Sequence, residues 1–177
     1  MIKITIPSGE LFNEDTNEIL YVKECTLQLE HSLISVSKWE SKWNKPFLSS
    51  EKTYEQTVDY VRCMNITQNI DDNVYLRLTK SNMDEIAKYI DAPMTATWFN
   101  EDNKSRPNKE IVTTELIYYW MIALQIPFEC QKWHLNRLLT LIKVCNIKNQ
   151  PPKKMSKSQL LNQYKSINES RRAALKK

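Results

Sequence analysis

The chain has one glycine, Gly9, in 177 residues. Phosphate-cradling loops need several glycines, because consecutive backbone N–H groups close on an anion only where no Cβ intervenes. A Walker or Rossmann nucleotide site is therefore excluded. Histidine is almost as scarce, with His31 and His134 alone. The four cysteines, Cys25, Cys63, Cys130 and Cys145, are widely spaced and form no Cys-x-x-Cys pair. Structural zinc recruits closely spaced thiolates and imidazoles, so the cysteines read as reduced, core-filling thiols. No apolar run approaches the roughly 20 residues of a membrane span. The opening "MIKITIPSGE" lacks the apolar segment of a signal peptide. The expectation is a cytosolic protein with no membrane partner.

The net charge of +4 conceals an asymmetry. From Pro151 onward there are eight Lys/Arg against the single acid Glu169, which is +7. The first 150 residues carry 17 bases and 20 acids, which is −3. A slightly acidic body thus carries a basic tail. That tail includes Lys153, Lys154, Arg171 and Arg172. It offers phosphate-attracting charge but only one aromatic, Tyr164, where a stacking platform for bases needs several. A nucleic-acid partner is not expected.

Periodicity supplies the fold class. "IKITI" alternates, "GELF" and "EILYV" flank a polar run as a hairpin does, and "CTLQLEH" sends Cys25, Leu27, Leu29 and His31 to one side. The period then lengthens. Val36, Trp39 and Trp43 fall at helical spacing, in a short helix stopped by Pro46. "TYEQTVDYVRCM" opens on a Thr53–Gln56 capping box, with Tyr54, Val58 and Val61 as its stripe. "SNMDEIAKYI" repeats the device from Ser81 to Asp84, with Met83, Ile86, Ala87 and Ile90 as its stripe. "DDNVYLRL" is ambiguous, and "MTATWF" suits an extended arm or short strand. "KEIVTTELIYYWMIALQI" is apolar nearly all round, with Val112, Leu116, Tyr119 and Ala123 on one face and Ile111, Tyr118 and Ile122 flanking it. Such a helix is either central or has a second partner. The expected fold is α+β and mainly helical: a small N-terminal antiparallel sheet or hairpin, then a helical bundle, then the basic tail. Residues 1–150 make one domain (β-rich over 1–31, helical over 33–148), and 151–177 form a helical or disordered appendage.

The stretch "ECQKWHLNRLLTLIKVCN" concentrates the reactive residue types. As one helix it would place Cys130 and His134 on a shared face, but Cys145 lies roughly 16 Å further along the axis, and two ligands do not make a zinc site. Either histidine could act as a base toward a cysteine. His31, however, continues an inward strand row, and His134 flanks Trp133 on an apolar helix, so both suit structural roles. No catalytic residue, cofactor or metal is expected. Five tryptophans are many for this length, and indoles anchor partner surfaces as well as cores. Trp39, Trp43, Trp98 and Trp133 are the candidate partner-binding residues, together with Lys153, Lys154, Arg171 and Arg172 of the tail.

Across "LEHSLISVSKWESKWNKPFL", "DAPMTATWF" and "TTELIYYWMIALQIPFECQKWHLNRLLTLIKVCNIKNQPPKKMSKSQ" the chain resembles the tail assembly chaperones of long-tailed bacteriophages (siphophages). The resemblance covers nearly the whole chain. It implies a non-enzymatic virion-assembly protein of the host cytoplasm, absent from the finished particle. Such a chaperone binds the long helical tape-measure protein, keeps it soluble, and assists assembly of tail-tube protein around it. It also implies self-association, since a long client engages many copies, and in some families a longer form made by frameshifting. No catalytic residue carries over. The docking surface expected is an apolar groove between the 33–43 helix and the two C-terminal core helices. A structural connector or tail-completion protein of the virion is the alternative, and a nucleic-acid-binding accessory protein acting through the tail is a third reading.

Overall fold

The computed structural model describes residues 1–13, 18–99, 110–150 and 157–174. Four strands open the chain: β1 (Ile2–Ile6), β2 (Gly9–Asn13), β3 (Glu18–Val22) and β4 (Cys25–Leu29). β1 pairs with β4 and β2 with β3, both antiparallel. The register is continuous: Ile6 faces Cys25, Gly9 faces Val22, and Pro7–Ser8 lies across from Lys23–Glu24. The two sheets are thus halves of one ribbon, interrupted where Pro7 has no N–H to donate. Alternation puts Ile4, Ile6, Leu27 and Leu29 in the core and leaves Lys3 and Thr5 outside.

Gly9 is explained by its neighbour rather than by its backbone, which is not left-handed. The Arg77 guanidinium lies across it, donating from Nη1 to Glu10 O at 3.1 Å and from Nη2 to Ser8 O at 3.3 Å. A Cβ on Gly9 would sit 2.3 Å from Nη2. The chain's one glycine makes room for the cation that clasps β2.

Six α-helices follow: α1 (Leu33–Trp43), α2 (Tyr54–Met64), α3 (Lys80–Asp91), α4 (Thr114–Ala123), α5 (Leu135–Asn149) and α6 (Lys157–Ala174). Two 3-10 helices, Asp72–Arg77 and Phe128–Lys132, complete the described elements. The fold is α+β and mainly helical. Ser32 caps α1 through a reciprocal bond with Ser35. The helix ends on Asn44, which takes the left-handed conformation (φ 51°) ahead of Pro46. Thr53 and Gln56 form the expected capping box of α2. The box of α3 is Thr79 with Asn82, not Ser81 with Asp84. Asn82 Oδ1 accepts from the Thr79 N–H at 3.1 Å, doing what Glu or Gln does in the usual pattern, and the helix starts earlier than its acidic residues suggest.

Other expectations need correcting. Tyr54 is exposed, and the buried side of α2 is Val58, Tyr60, Val61 and Met64. On α3, Ile86 and Tyr89 are buried, while Ala87 is exposed. "DDNVYLRL" yields a 3-10 helix, and "MTATWF" forms neither helix nor strand. The 129–146 stretch is not one helix. The Leu135 N–H donates to His31 O at 2.7 Å, and Ser32 bridges His134 in strand fashion. That tertiary bond takes the backbone out of helical geometry between the 3-10 turn and α5, so Cys130 and His134 share no helix face.

By its contacts the chain divides into Met1–Asn146 and Ile147–Lys177. In the first unit, the ribbon's apolar row, α1, α2, α4 and the first turns of α5 surround one core, with Trp39, Leu33, Met121, Leu135 and Leu138 at its most enclosed positions. The second unit holds the end of α5 and α6, whose described side chains are exposed. No helix among the described residues is long and apolar enough to cross a membrane.

Candidate interaction surfaces

The fold brings together the only two imidazoles, which lie 103 positions apart in residue order (134 − 31). The His31 and His134 rings meet edge to face at 5.0 Å between centroids. His31 Nδ1 is hydrogen-bonded to the Tyr60 hydroxyl, which also lies 3.3 Å from Ser35 Oγ. His134 Nε2 is 3.0 Å from Tyr89 O, and the Asn136 N–H points at its Nδ1 from 3.3 Å. A carbonyl only accepts and a backbone N–H only donates, so His134 is a neutral tautomer protonated on Nε2. Burial lowers its pKa. Burial, followed by the repulsion His134 would exert once it too is protonated, lowers that of His31 to about 3.

Burial keeps both imidazoles of this cluster uncharged at neutral pH. Burial raises the Tyr60 and Tyr89 phenols above their ordinary range and raises the Cys63 and Cys130 thiols. Neither cysteine is therefore an activated nucleophile. Among the described residues no group of His, Cys, Asp and Glu side chains could hold a metal ion. The consequence is acid lability. Both histidines titrate lower in the folded chain than in the unfolded one, so the unfolded state binds more protons as pH falls through 6.5. The stability they confer is complete above that pH and is lost below it. His31 alone is expected to cost about 2 kcal/mol at pH 5 relative to pH 8. Urea titrations between pH 8 and 5 check this, and a flat stability profile over that range would contradict a neutral, buried His31.

The tryptophans divide by environment. Trp39 is 0% exposed, so it is a core residue and cannot be a partner contact. Trp43 is half-buried and donates from Nε1 to Asp59 Oδ2 at 2.8 Å, beside the Lys42–Asp59 ion pair. Trp133 is half-buried under the Arg137 guanidinium, 4.3 Å from its ring centroid. Trp98 alone presents its ring to solvent, at 88% exposure. Of the tail residues, Arg171 and Arg172 are exposed on α6, while Lys153 and Lys154 lie outside the described residues.

Where α1 meets α4, the described residues form a polar surface in place of the apolar groove expected there. The depression between the end of α1 and the start of α4 is polar, lined by Ser37, Ser41, Asn44, Lys45, Thr113 and Glu115. Its floor is Glu40, whose carboxylate accepts from Phe47 N, Thr114 N and Thr114 Oγ1.

Apolar surface lies on other elements, among them the following three in the first unit. The first is a groove of about 350 Å³ between α2 and the 3-10 helix Asp72–Arg77. Val58 and Tyr75 form its floor, exposed Tyr54 and Leu76 its walls, and Lys42, Glu55, Asp59 and Arg62 its polar rim. Arg62 stacks on the Tyr75 ring at 5.2 Å, and its Nε is buried without a hydrogen-bond partner. The second is the outer face of the β2–β3 ribbon, where Phe12, Ile19 and Tyr21 are exposed. The third is α4. Its buried line is Thr114, Ile117 and Met121, whereas Tyr119, Ile122 and Ala123, two of them assigned to the expected principal face, point outward. An all-round apolar helix does not announce its own phase. Glu40 sets it by holding Thr114 at the N-terminus.

No protein-family model matches the chain, and neither does any curated protein or solved structure.

Proposed function

We propose that this chain is a phage tail assembly chaperone, a non-enzymatic protein of the host cytoplasm whose client is the tape-measure protein. The observation that carries the reading is the groove between α2 and the 3-10 helix Asp72–Arg77. Exposed Tyr54 and Leu76 stand over an apolar floor, with charges of both signs at the rim. An amphipathic client helix laid there would bury its apolar stripe against Val58 and Tyr75 and leave its polar side to the rim. The Arg62 guanidinium in the groove lining offers positive charge to a client carboxylate. The neutral histidine cluster and the unactivated cysteines support binding over chemistry. The resemblance supplies the client's identity, and with it the tail-tube protein as second partner.

Co-expression with the tape-measure protein of the same phage tests the proposal. The client is expected in the soluble fraction as a complex with the wild-type chain. Leu76→Glu places an uncompensated charge in the groove wall and is expected to weaken the complex by about 30-fold, the effect of a hot-spot contact worth ~2 kcal/mol. An insoluble client with no co-eluting complex would refute the assignment. Stoichiometric recovery of the chain from purified virions would favour the connector reading instead.

A further inference from the structure

Two surfaces of this chain are both apolar and carry borders of opposite charge, and nothing in the client-binding reading uses either. One is the outer side of α4. At 100° per residue Glu115, Tyr119, Ile122 and Ala123 occupy one sector, opposite Ile117 and Met121 in the core. Tyr119 and Ile122 are 63% and 62% exposed, and exposed Phe128 extends the patch beyond the helix. From Glu110 to Glu129 the chain carries three carboxylates, Glu110, Glu115 and Glu129, and no Lys or Arg. All three are exposed. The surface is apolar with an acidic border.

The other is α6. Leu161, Tyr164 and Ile167 fall within one 120° sector of that helix and are exposed. Its charged residues are Lys157, Lys165, Arg171 and Arg172 against Glu169. The surface is apolar with a basic border. An 18-residue helix with an uncovered apolar side is marginal in water, where nucleation is costly and packing supplies most of the stability. At 1.5 Å per residue α6 is about 27 Å long and α4 about 15 Å, so one α6 can cover the whole of α4 and reach the Phe128 turn.

We propose that α6 of one copy docks on the outer face of α4 of a second copy. Leu161, Tyr164 and Ile167 then bury against Tyr119, Ile122 and Phe128, and the tail's cations meet Glu115 and Glu129 at the border. Every copy carries both surfaces, so two copies can exchange helices reciprocally, or further copies can add head to tail. The charge border makes the association sensitive to salt.

Analytical ultracentrifugation of the full chain tests this without any client, so its outcome is independent of the proposed function. The wild-type chain is expected to self-associate at about 50 µM, more weakly at high salt. Ile122→Lys sets a cation against a basic helix, and Tyr164→Glu sets an acid against an acidic face. Each change lies at an exposed position and is expected to raise the dissociation constant at least about tenfold with an unchanged circular dichroism spectrum. Mixing the two variants is decisive. The α4 face of the Tyr164→Glu chain and the α6 of the Ile122→Lys chain are both intact, so a mixed complex is expected where neither variant associates alone. A monomeric wild type overturns the proposal. So do variants that associate as the wild type does, or a mixture that stays monomeric.

Discussion

Replacing Trp39 by alanine is expected to cost about 4 kcal/mol of folding stability, the largest effect of any single substitution considered for this chain. The indole is wholly enclosed. Phe47 meets it edge-on at 5.2 Å between centroids, and the Lys52 ammonium lies 5.5 Å from the ring centroid. Its Nε1 donates to Gln56 O at 2.9 Å, joining α1 to the first turn of α2. Truncation removes the apolar burial, leaves a cavity that α1 and α2 cannot close without moving, and removes the indole bond that ties α1 to the Gln56 carbonyl. In a domain of this length the loss corresponds to a fall in Tm of about 10 °C. Chemical denaturation measures it. Trp39→Phe, which keeps most of the volume but not the donor, should recover more than half. A loss below about 1 kcal/mol for the alanine variant would mean that the indole is not the centre of this core.

Glu40→Ala is expected to cost about 3 kcal/mol, and its effect should concentrate on an element distant in sequence. Oε1 accepts from the Phe47 N–H at 2.7 Å, closing the turn after α1. Oε2 accepts from the Thr114 N–H at 2.8 Å and from its hydroxyl at 2.6 Å. Thr113, the residue in the N-cap position of α4, makes no side-chain cap of its own. A carboxylate from α1 therefore caps α4 and favours the positive end of its dipole. Without it two buried N–H groups lose their acceptor. Glu40→Gln keeps the shape, but its amide must turn a donor toward one of those N–H groups, so it is expected to recover little. Hydrogen exchange is the discriminating readout. Amides of α4 should lose protection beyond the global change, because the cap holds that helix in phase. Uniform loss across the chain would refute the cap role.

The helical elements with strong local signals were legible from residue order. Thr53 and Gln56 announce α2 because the capping box is a local device, complete within four residues. β1 and β4 were legible because alternation over five residues has one reading. The Thr79–Asn82 cap was missed because asparagine performed a task usually given to Glu or Gln. The break before α5 was missed because a hydrogen bond from Leu135 to His31 O, formed only on folding, interrupts a continuous helical pattern. The candidate surfaces fared unevenly for the same reason. Trp98 stands in solvent, while Trp39, drawn from the same composition argument, fills the core. Residue type cannot separate an anchor from a core indole.

The sequence by itself determined the class of fold, the lack of a nucleotide loop, and the contrast between an acidic body and a basic tail. Each follows from composition or from a period a few residues long. Only the tertiary structure decided which side of α4 is buried, that the Arg77 guanidinium lies over Gly9, and that His31 and His134 share one neutral, enclosed cluster. Those outcomes depend on groups tens of residues apart meeting across packed elements. Glu40 setting the phase of α4 is the clearest case, since no local pattern around Thr114 points to a carboxylate on another helix.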